Sequence, residues 1–302
     1  MASLKGQNLR IYTRSGDDYQ VIAKSTNCTV NMNANTDDAT HKDIVGLASR
    51  PTVTSKSWSV QVDSLDVLDM ATMLTAIANM ATFNIMWDES STTDNQEALG
   101  QPFNRGGSAY LTDASFTFND RENAAKSITF TGTGQLLNDV SPRTQDIEVV
   151  DSLTKGQFVR LFLSDDNSTT PSKVIAAAKQ LSFHVSVSVE EATTKDTDGD
   201  WQIQEPTQLS YDISTSALVR SGDTITPSTQ AQTLDKLETI YESSLPVKFL
   251  IANVSGANQR TKGTTIVSGS VVLTSLSIKG PDRQNATYDA QLQGYGSYTV
   301  GA

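Results

Sequence analysis

The sequence predicts a mainly β protein: two tandem copies of one antiparallel β-sandwich or barrel, each with one α-helix and a long extended arm loop. Three observations predict it. Motifs recur in the same order in the two halves of the 302 residues, apolar and polar residues alternate in short runs, and only one segment per half spaces its apolar residues by three and four.

The repetition is visible in four places. Lys5–Tyr12 reads KGQNLRIY and Lys155–Phe162 reads KGQFVRLF; Asp37–Asp43 reads DDATHKD and Glu190–Asp196 reads EEATTKD. Trp58-Ser-Val-Gln-Val aligns with Tyr211-Asp-Ile-Ser-Thr, and DRENA at Asp120–Ala124 returns as DRQNA at Asp282–Ala286. A glycine pair follows each of the last two blocks, Gly132-Thr-Gly134 and Gly294-Tyr-Gly296. The offset between copies grows from 150 to 153 to 162 positions, a drift that needs only loop-sized insertions. The expected division is a first domain over 1–140, a linker over 141–152 containing Pro142, and a second domain over 153–302. Extra residues of the second copy fall mostly in the Gly/Pro/Thr-rich stretch Arg220–Gln232.

Along the first copy, a strand at Asn8–Thr13 meets a turn at Ser15–Asp18, and a second strand runs from about Tyr19 to Met32. Its counterpart, Leu181–Val189, alternates more cleanly and places His184 on the polar face. The polar segments Asn33–Ser57 and Ser186–Ser210 have almost no apolar pattern and recur at the same place and length, which predicts surface arms that grip a partner. The arm residues expected to do so are Asp37, Asp38, Thr40, Lys42 and Asp43, with Glu190, Glu191, Thr193, Lys195 and Asp196. After a strand at Lys56–Leu65, Met70, Met73, Leu74, Ile77 and Met80 mark a core-facing helix that Asp66 can cap. Leu234, Leu237, Ile240 and Tyr241 mark its counterpart. Three strands close each copy: Thr82–Trp87, Ser108–Phe118 and Ser127–Leu136, then Val247–Ala252, Ser270–Ile278 and Tyr288–Tyr298.

Composition narrows the function. Lys and Arg number 23 against 34 Asp and Glu, so the net charge of −11 repels phosphates and argues against a nucleic-acid reader. One cysteine, Cys28, excludes an internal disulfide and a thiolate zinc cluster and reads as a small buried strand residue. His41 and His184 alone leave little room for a catalytic triad or a histidine metal site. The opening residues MASLKGQNLR lack the apolar stretch of a signal peptide, and no run is long enough to span a membrane. Asp196-Thr-Asp-Gly-Asp begins like a calcium loop, yet Trp201 and Thr207 stand where its glycine and bidentate glutamate belong. The glycine pairs sit late in strands rather than before helices, which predicts close backbone approach or a bulge, not a phosphate cradle. Enzyme chemistry, a cofactor and a metal are not expected.

In order and spacing, these features resemble the major tail tube proteins of tailed bacteriophages. The opening hairpin KGQNLRIY, the arm Asn33–Ser57, the strand Lys56-Ser-Trp-Ser-Val-Gln-Val and the closing run Ala125–Gly134 carry the resemblance, strongly in the first copy and more weakly in the second. It implies a structural virion protein whose sheets join edge to edge in stacked rings, with arms reaching neighbouring subunits. Simple members carry one unit, so a doubled chain implies a trimeric ring with pseudo-sixfold symmetry. The implied partners are further copies of the chain, a tape-measure protein, tail terminator and baseplate proteins, and duplex DNA passing through without specific binding; no membrane is involved. The implied place is the virion tail, assembled in the bacterial host cytoplasm. Two other readings stay open on the residues: a duplicated baseplate hub or distal ring, and a tandem carbohydrate-binding or adhesin module, although aromatics make up only 7%.

Overall fold

A computed structural model describes residues 6–15, 18–41, 43, 49–67, 69–90, 104–138, 153–167, 170–197, 199–219, 231–255 and 261–301. The expected linker 141–152, residues 220–230 of the inserted loop and Lys42 lie outside them.

The first half runs β1 (Leu9–Ser15), β2 (Asp18–Val21), β3 (Ser25–Asp38), β4 (Pro51–Ser64), α1 (Met70–Ala78), β5 (Thr82–Glu89), β6 (Arg105–Asn119) and β7 (Ala125–Asn138). The second runs β8 (Val159–Leu163), β9 (Lys173–Ile175), β10 (Ala178–Glu191), β11 (Gln204–Leu218), β12 (Ala231–Gln232), α2 (Leu234–Ser243), β13 (Val247–Ser255), β14 (Thr261–Lys279) and β15 (Thr287–Val300). Apart from the two-residue β12, the halves have the same element order.

Their pairings also match. In the first half β2 pairs with β1, β1 with β5, β5 with β6, β6 with β7, β7 with β4 and β4 with β3. The second half repeats this as β9–β8–β13–β14–β15–β11–β10. Bulges fall at equivalent points, between Leu111 and Asp113 in β6 and between Leu273 and Ser275 in β14. Even backbone irregularities repeat: Lys24 with Ala177, Met80 with Ser244 and Arg121 with Arg283 all take positive φ, as do Gly134 and Gly296. Non-glycine residues rarely occupy this region, so three matched pairs show the same local turns, two of them built from different side chains.

The arms correct one expectation. They are not long loops but extensions of the β3–β4 and β10–β11 hairpins, which pair out to Asp38↔Pro51 and Glu191↔Gln204. In the first arm Asn31–Asp38 and Pro51–Thr54 are exposed on both faces, so no alternation marks them as strands. The run expected as one strand from Tyr19 to Met32 is broken between Val21 and Ser25, where Lys24 turns the chain. Asp66 does not cap α1. The helix starts at Met70 after Asp69, whose carboxylate instead takes the buried Lys126 ammonium at 2.5 and 2.6 Å.

The core sits between the strand run and the helices. Met70, Met73, Leu74 and Ile77 of α1 are buried, and this helix packs on β6 and also on β10, β14 and β15 of the other half. Tyr298 Oη donates to the Leu74 carbonyl at 2.7 Å, tying the last strand to that helix. Trp58, buried at 2% exposure, fills the first sandwich. Gly132 makes room for it: a Cβ there would lie 2.1 Å from the indole, which accounts for the glycine by close approach. Gly294 plays the same part beneath Tyr211, 2.6 Å from its ring.

Candidate functional site: a polar sheet face between two open edges

The halves join strand to strand. β6 pairs with β7 along one side; on its other side Arg105–Tyr110 pairs with β5 and Asp113–Asn119 pairs with β10. A continuous eight-strand run results, in the order β14–β15–β11–β10–β6–β7–β4–β3.

Period-two alternation separates its faces. One face carries the core side chains, such as Phe116, Phe130, Val60, Phe183 and Ile213. The other carries Ser, Thr, Asn and Gln: Ser115 and Thr117, Thr129 and Thr131, Ser59 and Gln61, Ser182 and Ser186, Ser214 and Ser216, Gln291 and Gln293. Hydroxyl pairs such as Thr112 with Thr131 and Ser186 with Ser210, each 2.8 Å, knit neighbouring strands. Acids on this face include Asp63, Asp113, Asp212 and Asp289. Ser127 donates to Asp63 at 2.6 Å, and Lys279 binds Asp289 at 2.6 Å. The hydrogen bonds from Lys279 and Ser216 hold the Asp289 carboxyl below the usual carboxylate range.

His184, expected on the polar face of a strand, is there and lies at the junction between the halves. Its Nε2 is 2.7 Å from Asp113 on β6 and its Nδ1 2.8 Å from Asp212 on β11. Desolvation opposes its protonation, but the two hydrogen bonds and the two carboxylate charges outweigh it and raise the pKa.

The arms divide into a free one and a docked one. The second arm lies on the first half: Lys56 N–H donates to the Asp200 carbonyl at 2.6 Å, Gln202 N–H to the Lys56 carbonyl at 2.9 Å and Gly134 N–H to the Gln202 carbonyl at 2.8 Å. Lys56 Nζ also pairs with the Asp200 carboxylate at 3.2 Å and stands 5.8 Å from the Trp201 ring centre. Gln204 N–H adds a hydrogen bond to Thr133 Oγ1 at 3.0 Å, so the contacts fall within Asp200–Gln204, just beyond the expected arm residues. Glu191 instead receives the Gln202 amide at 3.0 Å and Thr193 Oγ1 the Ile203 N–H at 3.0 Å, bracing their own hairpin; Glu190, Lys195 and Asp196 are exposed. In the first arm Asp37 is exposed and Asp38 accepts the Thr40 N–H at 2.9 Å, which with the Thr40 hydroxyl lowers its pKa. Thr40 Oγ1 accepts the Arg50 N–H at 3.0 Å, and exposed Asp43 lies 3.7 Å from His41. Trp201, a lone aromatic in a polar stretch, was the available sequence signal for the docking residues. Cys28 lies in β3 as expected but is only half-buried, its thiol 3.5 Å from the Leu9 carbonyl. Among the described residues no cluster of His, Cys, Asp and Glu could hold a metal ion.

Residues 155–300 match the family described as phage tail tube protein. This half of the chain belongs to the phage tail tube protein family. The tail tube domain so identified spans β8 to β15, including the edge β10 that meets β6. Similar solved structures include the tail of an empty gene transfer agent particle with C6 symmetry, 17% identical, covering 48% of this chain and 95% of that one, at TM-score 0.36. The virion of a native gene transfer agent is 16% identical, with 49% and 99% covered and TM-score 0.35. The SPP1 tail tube is 15% identical, with 49% and 78% covered and TM-score 0.36. No curated protein matches the chain.

Proposed function

We propose that the chain is a structural tail tube protein made of two tail tube domains, 1–140 and 153–302, that assembles with copies of itself into stacked rings around a DNA conduit. The carrying observation is the eight-strand run, polar on one face and open at both ends. An unpaired strand edge is a liability in a monomer and a joint in a polymer.

Three chains contribute 24 strands. At ~4.8 Å spacing and a tilt near ~40° they close with a circumference of roughly 150 Å, wide enough for duplex DNA once the inner side chains are counted. The polar face then lines the bore. Its hydroxyls and amides offer phosphate no cation, Lys279 is already held by Asp289, and Asp63, Asp113 and Asp212 repel phosphate over a Debye length of about 8 Å. DNA therefore slides through without sticking.

The first arm, with Asp37, Asp38, Thr40, Lys42 and Asp43, reaches a neighbouring chain, as the second arm reaches the first half of its own chain. Glu190, Glu191, Thr193, Lys195 and Asp196 shape the hairpin whose tip docks. A tape-measure protein, tail terminator and baseplate proteins complete the proposed assembly, which forms in the bacterial host cytoplasm and resides in the virion tail. The role needs no catalysis. Electron microscopy of the purified chain tests this reading: hollow tubes are expected, and discrete monomers at high concentration would overturn it.

A further inference from the structure

The joint inside the chain specifies the joint between chains. In the internal joint β10 pairs antiparallel with β6: Leu181↔Phe118, Phe183↔Phe116 and Val185↔Ala114. All six side chains are buried. The strands equivalent to β10 and β6 are β3, offset by 153, and β14, offset by 162. Among the described residues both have a vacant side. β3 pairs only with β4, and beyond Val271 β14 pairs only with β15.

The side chains at these vacant edges are apolar where the internal joint is apolar. Met32, equivalent to the fully buried Val185, is 57% exposed, and Ile278, equivalent to the fully buried Phe116, is 53% exposed. Val30 and Leu276, equivalent to buried Phe183 and Ala114, are half-buried. The intervening residues, Thr29, Asn31 and Asn33 on one strand and Ser275 and Ser277 on the other, are polar like the bore-facing positions. Large exposed apolar residues confined to an unpaired edge mark an association surface.

Building on the tube reading, we infer that β3 of one chain pairs antiparallel with Ser275–Pro281 of the next chain, with Met32 opposite Leu276 and Val30 opposite Ile278. The occupant of each edge is a second copy of this chain. The rest of the register follows: Asn27 meets Pro281, Thr29 meets Lys279, Asn31 meets Ser277 and Asn33 meets Ser275. α2 then takes the place at this joint that α1 holds at the internal one. Tyr241, 49% exposed, stands where α1 has the buried Ile77 and turns toward the first half of the neighbouring chain.

The two joints are not chemically equal. At positions matching His184, Asp212 and Asp113 the joint between chains has Asn31, Ser59 and Ser275. Ionisable groups in that triad are therefore confined to the joint within the chain.

Cysteine pairing in the full-length chain tests the register. On a Cys28→Ser background, Met32→Cys with Leu276→Cys is treated with a short bifunctional thiol reagent, because directly opposed Cβ atoms lie about 4.5–5.5 Å apart. The expected result is covalent dimers and closed trimers on a denaturing gel, with little product from Met32→Cys with Ser277→Cys, whose side chains point to opposite faces. Electron microscopy of the same samples separates the two ideas. Tubes in which the shifted pair links and the predicted pair does not would overturn the register and leave the tube reading intact. Failure of the unsubstituted chain to form rings or tubes would overturn both.

Discussion

The His184 imidazole on β10 meets the Asp113 carboxylate on β6 at 2.7 Å, a hydrogen bond that crosses from one half of the chain to the other. With Asp212 on its second nitrogen at 2.8 Å, the ring bridges three adjacent strands. The protonated ring donates to both carboxylates, whereas the neutral ring has one N–H.

That geometry sets a pH dependence. The folded pKa of His184 is raised above its unfolded value of 6.5, so its stabilisation is fully present below 6.5 and is lost as pH rises through the folded pKa. His184→Asn, which installs the side chain found at the equivalent Asn31, removes the effect. Thermal unfolding of both proteins at about pH 5.5 and pH 8.5 measures it. The wild-type advantage in Tm is expected to be larger at the lower pH; an equal difference at both would show that the bridge is electrostatically silent.

Gly132 and Gly294 supply a packing prediction. A methyl group at either site enters the ring beneath it, so Gly132→Ala and Gly294→Ala should each destabilise by about 1–3 kcal/mol through overpacking. Gly280→Ala is the control, because nothing lies within 4 Å of its added Cβ and its φ is not positive. Denaturant midpoints should separate the two kinds of site.

The helices respond differently to truncation. Ile77 is buried at 1% exposure, and Ile77→Ala should cost about 2–5 kcal/mol. Tyr241→Ala should change the stability of the single chain by no more than about 0.5 kcal/mol, because the ring is half-exposed there. Sedimentation velocity is expected to show that the Tyr241 variant assembles poorly despite normal folding.

The polar face can be converted. Gln61→Lys, Gln291→Lys and Gln293→Lys together place three cations among its hydroxyls. Tubes of this variant should bind duplex DNA with an affinity that falls steeply with salt, while wild-type tubes should not retain it. Filter binding across a salt series reads both.

Much of the fold was legible because its signals are local. The alternation of Leu181, Phe183, Val185 and Val187 gave β10, and the spacing of Met70, Met73, Leu74 and Ile77 gave α1. Repeated blocks gave the order of the halves before any pairing was known. The first hairpin arm was illegible as strands because its paired residues, such as Asp37 and Thr52, are exposed on both faces and carry no alternation. The joint itself was also hidden: Phe116 and Ile278 look alike in sequence, and only the strand order shows that one is covered by β10 while the other is bare. Asp200 pairs with Lys56 across 144 positions, a contact no local pattern encodes.

The central claim is that one chain supplies two of the six equivalent positions around the conduit. Native mass spectrometry of assembled rings tests it most directly. The account predicts rings of three chains, whereas rings of six chains, or single chains only, would contradict it.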